Sequence, residues 1–402
     1  MIPFITSKLF SSPLDAMFTL LSFIFVKELG ASPLQLTLLV ASKPLVGLLA
    51  FYNHIFIKNA PSMLKPLLIV LNALGAIPCL LFPFTNSVWF FLLAYALFIL
   101  SLRSSVPAWV ELLKINLSPQ KQAQTFSLGA SANYLITIFF PLGIAQVLDH
   151  STELWKWIFF ALAALQLGNI IILATMRLKI APAPIEEGYS FSSMRSLLLD
   201  PWKNFITLMR KRPDFRSYQI MFVISGIGLV AMQPALPIFF KETLNLTYTE
   251  LTLATHVCKG IGFALSSPVW ARFIHRVSLF TLNAYVNLCS AIFIILLLSS
   301  SLDLSLLYAA FTLYGIMQAG CELSWNLSGT IFAGPKESTF FTSSNLAVIG
   351  MRGCFSPFLG QLFLLSGTTS LFLFAECLCL IGLFYAWHLS RVQAPLYDQV
   401  GA

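Results

Sequence analysis

The chain of 402 residues is 57% apolar and only 10% charged, with 37 phenylalanines and a formal net charge of +8. A soluble domain has roughly a quarter of its residues charged, so this composition excludes a soluble globular protein. Stretches long enough to cross a ~30 Å hydrocarbon core recur along the whole chain, and they lack the two-residue alternation of a membrane barrel, so they must be helices.

In chain order the apolar runs predict spans at 13–29, 34–56, 66–85, 87–113, 123–148 and 154–177, then at 216–240, 248–271, 278–299, 302–331, 338–366 and 369–390. The expected fold is an all-α integral membrane protein of twelve helices in two six-helix bundles, 1–177 and 216–402, joined by a linker at 178–215. No cleavable leader is read at the start, which holds one lysine, Lys8, and no small-residue cleavage site. The linker opens with Ala181-Pro182-Ala183-Pro184, continues through Glu186-Glu187-Gly188 and closes with Arg210-Lys211-Arg212-Pro213, a loop by its prolines and mixed charge. Within it Trp202, Phe205, Ile206 and Met209 recur at helical spacing. This piece is either a helix lying on anionic lipid or a solvated linker helix. In the seventh span Gln233-Pro234 and Pro237 should break or kink the helix. Gly226, Gly228, Gly260 and Gly262 read as points of close helix packing.

The two halves repeat at an offset of 216. Pro119 pairs with Pro335, Pro141 with Pro357, Lys43 with Lys259 and Trp109 with Trp325. A looser echo links Lys27-Glu28 with Lys241-Glu242, where the offset is 214. Internal repeats of about six helices are what secondary transporters are built from, with the solute site between the halves.

Apart from Lys43, Arg103, Lys259 and Arg352, which lie deep in spans, seventeen lysines and arginines fall on the side of the termini and the linker. Three fall on the other side: Lys27, Lys156 and Lys241. The positive-inside rule then puts both termini and the linker in the cytoplasm. The basic excess is topological, which argues against a nucleic-acid partner. All seven cysteines sit in apolar spans without metal spacing, and Cys377 and Cys379 face opposite sides of one helix. They read as small packing residues. There is no phosphate-cradling glycine loop, zinc motif or nucleophile–base pair. No enzyme activity, cofactor or metal is expected.

The chain resembles the major facilitator superfamily. The likeness lies in the two six-helix bundles, the cytoplasmic termini and the long central loop, and it spans essentially the whole sequence. Arg103 matches an arginine the family often carries in its fourth helix. Phe140-Pro141-Leu142-Gly143 partly matches the glycine–proline kink of its fifth, and Ser356-Pro357-Phe358-Leu359-Gly360 repeats it. The family's loop between its second and third helices carries a glycine, an aspartate and several basic residues. Here that loop is Tyr52-Asn53-His54-Ile55-Phe56-Ile57-Lys58, with neither, and Trp270 to Arg276 keeps only the basic part.

A charge at bilayer depth costs about 2.5–3.5 kcal/mol on insertion scales, so each one demands a reason. Lys43, Arg103, Lys259 and Arg352 stand inside spans against Glu322, with Asp15 near a span end and Glu376 on the twelfth helix. Gln318, Glu322, Trp325, Asn326 and Gly329 share one face of the tenth helix, and Asn345, Arg352 and Ser356 share a face of the eleventh. This predicts a Glu322–Arg352 pair, either structural or a coupling and substrate contact. The resemblance further implies that Lys43 approaches Arg352 and that Lys259 approaches Asn133 and Tyr134. His256 shares a face with Lys259 at i, i+3 and reads as a helix contact or a proton relay. Trp109 and Trp325 read as interface anchors.

The expectation is a monomeric secondary transporter of a small polar solute in a bacterial-type inner membrane, working by alternating access among membrane lipids. Four cations against one firm anion favour an anionic or zwitterionic solute. Protons are the simplest driving ion, with Glu322 as the titrating carboxylate. The substrate-binding or coupling candidates are Lys43, Arg103, Asn133, Lys259, Glu322, Asn326 and Arg352. Efflux of organic cations on the same fold, and a non-transporting sensor or lipid translocase, are the alternative readings.

Overall fold

The computed structural model describes residues 2–50, 64–151, 153–175, 202–203, 205–274, 276–333 and 339–397. The loop motif at 52–58 and the linker from 178 to 200 lie outside these residues. Every regular element described is helical, and ten helices are long and apolar enough to cross a membrane, among the described residues.

The first half consists of α1 (Ile2–Phe18), α2 (Leu21–Lys27), α3 (Pro33–Ala50), α4 (Leu64–Ala76), α5 (Val88–Asn116), α6 (Pro119–His150) and α7 (Leu154–Thr175). α1 and α2 together make one apolar span over Pro3–Lys27. Pro78 and Pro83 tighten the end of the third expected span into a 3₁₀ helix, Ile77–Phe84. The expected second span is seen as helix up to Ala50. Proline starts α6 at Pro119, where its missing N–H is no loss.

The second half runs α8 (Pro213–Ala231), α9 (Tyr248–Thr252), α10 (Lys259–Phe273), α11 (Leu279–Ser299), α12 (Leu304–Ala333), α13 (Thr339–Leu364) and α14 (Thr368–Tyr397). The seventh span breaks where Pro234 and Pro237 lie: α8 ends at Ala231 and a π-helical turn follows at Phe239–Thr243. A second π-helical stretch, Leu253–Cys258, separates α9 from α10. Its wider hydrogen-bond spacing moves His256 out of the simple i, i+3 relation to Lys259. Before α8, residues 205–211 are helical; Leu208 and Met209 pack on the core of the second half, and Ile206 is exposed.

Two compact units result. One is Met1–Ile185 with Pro234–Val257; the other is Glu186–Gln233 with Cys258–Ala402. The segment Pro234–Val257 thus packs with the first-half helices although the chain on both sides of it belongs to the second unit. Its two crossings fall at the proline break and at the end of a π-helix.

The connections after the first and seventh spans share one design at an offset of 215. In the first, the Ala31 N–H bonds the Phe25 carbonyl at 2.9 Å over Gly30, whose φ is +59°. In the other, the Leu246 N–H bonds the Phe240 carbonyl at 2.9 Å over Asn245, φ +49°. Both are six-to-one helix ends with a left-handed residue, which Gly and Asn tolerate best. Each is followed by a capping box. The Ser32 N–H donates to Gln35 Oε1 at 2.8 Å, and the Thr247 N–H to Glu250 Oε2 at 2.9 Å.

In the second unit, close approach depends on missing side chains. A Cβ on Gly315 would overlap the Lys259 carbonyl, and one on Gly262 the Thr312 carbonyl, so α10 and α12 touch backbone to backbone. A Cβ on Gly228 would lie 2.8 Å from the Ala375 carbonyl, and one on Gly226 would overlap the Arg352 guanidinium. Arg212, between the linker helix and α8, donates to both Asp214 oxygens at 3.0 and 2.7 Å and to the Phe332 carbonyl at 2.9 Å. Its guanidinium also lies 5.4 Å from the Phe341 ring centre.

Candidate functional site: charges inside the spans

In the first unit Asp15, on α1, interacts electrostatically with Lys43 of α3, with Arg103 of α5 and with Lys8 one helical stretch earlier on α1. The Tyr95 hydroxyl of α5 lies in the field of both Asp15 and Arg103. Lys43 and Arg103 also act on one another. Both are exposed, although they stand in the middle of apolar helices. Asn133 of α6 joins this region, accepting a hydrogen bond on Oδ1 from Ser12 Oγ at 2.7 Å, one turn of α1 before Asp15. The first unit therefore gathers three of the seven candidates, Lys43, Arg103 and Asn133, around an aspartate.

In the second unit the expected Glu322–Arg352 pair does not form. Glu322 accepts from Gln318 Nε2 at 3.1 Å, one turn back on its own helix. Arg352 donates from Nη1 to the Phe222 carbonyl at 2.9 Å and stacks on the Phe222 ring at 4.7 Å. The absent Cβ of Gly226 is what lets α13 place the guanidinium against α8 rather than toward α12. The Arg352 Nε and the Gln318 Oε1 are both buried without a hydrogen-bond partner. Lys259 stands over the Tyr314 ring at 5.1 Å, and the Tyr314 hydroxyl feels the Glu322 carboxylate. Tyr314, Gln318 and Glu322 follow at i, i+4 and i+8 on α12, so one helix face carries both ends of this relation. Asn326, one turn further, is exposed.

Other expectations are corrected by packing. Trp109 is not an interface anchor: it is 3% exposed and meets Phe4 edge-on at 5.2 Å in the core of the first unit. Asn345 is a buried hub, accepting from Gln219 and donating to Ser328 Oγ and to the Trp325 carbonyl, which ties α8, α12 and α13 together. Tyr218, Ser324 and Asn283 make a second such hub.

The sequence reading missed the groups that fasten Pro234–Val257 to its unit. The Asp149 carboxylate, at the end of α6, accepts from the Tyr248 N–H at 2.7 Å, the Thr249 N–H at 3.0 Å and the Thr249 hydroxyl at 2.6 Å. The Tyr248 hydroxyl donates to Glu28 at 2.9 Å, and Lys27 lies over its ring at 4.4 Å. His256 Nε2 meets Thr19 Oγ1 at 2.9 Å, the helix contact that the sequence suggested for it. Asp149 left no signal because a lone acid at a span end looks like any interfacial residue. The Lys27-Glu28 echo was the one usable hint.

A bundle of long apolar helices with ion-bearing faces inside its spans defines a membrane transport protein. The chain belongs to the Major Facilitator Superfamily, whose profile it matches over residues 8–357. Solved structures share the fold. A POT family transporter in complex with 5-aminolevulinic acid aligns with TM-score 0.74 at 14% identity, covering 97% of this chain and 95% of that one. The nucleoside transporter NupG aligns at 0.67 and 14%, covering 96% and 97%. A bacterial homolog of the human lysosomal transporter Spinster, inward-facing and occupied, aligns at 0.67 and 13%, covering 97% and 96%. No curated protein matches the sequence.

Proposed function

We propose that the protein is a secondary active transporter that moves a small anionic or zwitterionic solute across the inner membrane by alternating access, as a monomer with cytoplasmic termini. The carrying observation is that Lys43 and Arg103 are both exposed on apolar spans, with Asp15 as the acid beside them. Each such charge costs about 2.5–3.5 kcal/mol to insert, and a site of net positive charge concentrates carboxylates or phosphates. The same sign disfavours an organic cation. Arg352, with a buried N–H to spare, supports a second anchor for the solute.

Asp15 is the better-supported coupling group than Glu322. Its carboxylate shares the field of Lys43 and Arg103, which would also hold the solute's anion, so a proton on Asp15 and a bound solute each alter the affinity for the other. Among the described residues, Glu322 has a neutral amide as its one hydrogen-bond partner. Alternating access is supported by the fastening of Pro234–Val257 to α2 and α6, a set of bonds that can be made in one state and released in another.

The test is uptake into liposomes by purified protein, across panels of carboxylates, phosphorylated metabolites, amino acids and organic cations, with pH jumps. Uptake of an anion or zwitterion, reduced tenfold or more by Lys43→Ala and by Arg103→Ala, is expected. Asp15→Asn should flatten its pH profile and Glu322→Gln should leave it. Uptake of organic cations alone would favour efflux on the same fold, and inactivity across all panels would favour a sensor or lipid translocase.

A further inference from the structure

The first unit holds a small polar cavity beside the charge cluster, with Lys8 common to both. It lies among α1, α4, α5 and α7, with Lys8, Asn72, Ser101, Ser105 and Gln166 on its walls. Gln166 is 3% exposed, and its Oε1 is buried without a hydrogen-bond partner. Among the described residues no protein group hydrogen-bonds the Lys8 ammonium; its aromatic neighbour, the Phe4 ring, is 5.9 Å away. A donor without an acceptor and an acceptor without a donor thus face one small space. As the side chains stand, no other wall group meets either need, and Ser7, also on the wall, accepts from Asn169 Nδ2 at 2.8 Å. Ser105 donates its proton to the Leu102 carbonyl at 2.9 Å, Ser101 gives its own to the Leu71 carbonyl, and Ser11, also on the wall, donates to the Lys8 carbonyl at 3.3 Å. Their oxygens offer lone pairs only. Asn72 donates to the Leu68 carbonyl and accepts from Asn169.

We infer that this cavity is a site for one structural water that bridges the Lys8 ammonium and the Gln166 carbonyl oxygen. Size and charge select it. The cavity of about 20 Å³ admits one water, which needs roughly 10–15 Å³, and no organic solute. A metal cation would sit beside an ammonium. An anion would face the Gln166 oxygen and three serine oxygens whose protons are spent. A water accepts from Lys8 and donates both protons, one to Gln166 Oε1 and one to a serine oxygen, within the two to four partners such waters keep. The bridge holds a lysine charge inside the bundle, at a place where Lys8 acts on Asp15. It is independent of what the protein transports.

The decisive measurement is a map of the full-length wild-type protein at a resolution that shows ordered water. One peak is expected at about 2.8 Å from both Lys8 Nζ and Gln166 Oε1. An empty cavity, or the ammonium seated directly on the glutamine, overturns the proposal. A thermal double-mutant cycle gives a second reading. Lys8→Met and Gln166→Leu each remove one end of the bridge, so the double variant should melt no lower than the worse single. Strictly additive shifts would mean that no water couples them. If a variant fails to fold, the wild-type map decides.

Discussion

Lys241 donates to the carbonyl of Val26 at 3.0 Å, while Lys27, the residue next to that carbonyl, donates to Leu246 at 3.5 Å. The two lysines head the repeated Lys-Glu pairs, and each reaches for the other's loop. This is the exchange that a two-fold relation between like segments produces. The shared left-handed turns and capping boxes of the two connections carry the repeat into these loops.

If these loops are a releasable fastening, Asp149 is its strongest point, because one carboxylate serves two N–H groups and a hydroxyl at a helix start. Asp149→Ala should cost about 1–2 kcal/mol. It should also raise the labelling of a cysteine placed at Thr19 by an impermeant maleimide, applied from the side opposite the termini. Unchanged labelling with unchanged stability would remove Asp149 from the fastening.

Glu322 and Arg352 are not partners, so their substitutions should add. The stability changes of Glu322→Gln and Arg352→Lys should sum in the double variant to within about 0.5 kcal/mol. A larger interaction energy would restore the pair that helix periodicity suggests.

The backbone contact of α10 with α12 should tolerate no added carbon. Gly315→Ala is expected to cost about 1–3 kcal/mol by overpacking, read as a lower melting temperature in detergent. Gly143→Ala is the control: a Cβ there has nothing within 4 Å, and its melting temperature should not fall.

Arg212 holds its place with a planar fork, which lysine cannot copy. Arg212→Lys should keep the charge yet lose about 1 kcal/mol of stability, a modest figure because the pair is partly solvated. Equal stability of the two proteins would reduce this cluster to a surface ion pair.

Much of the architecture is legible without coordinates, because lipid leaves so few backbone solutions. The expected fourth span at 87–113 is α5, the ninth at 278–299 is α11, and the break at Pro234 is where proline must put it. The fold of the site is less legible. Periodicity gives the face of a helix but not its neighbour, so it sets Glu322 and Arg352 on facing surfaces without knowing that Gly226 draws the guanidinium to α8. It finds Lys43 and Arg103 from their cost in lipid. It undervalues Asp15, because two of its cationic neighbours, Lys43 and Arg103, come from α3 and α5, far along the chain. The sequence likewise places residues 234–257 with the second half, and only contacts reveal that they pack with the first.

That placement decides how the protein can be taken apart. A cut in the central loop looks like a clean division into two six-helix pieces, yet the amino-terminal piece would be separated from the segment that covers Glu28, Asp149 and Thr19. Two halves expressed as separate chains would have to meet before either finished its own surface. A permuted chain that carried residues 234–257 beside the first half would have its cover from the start.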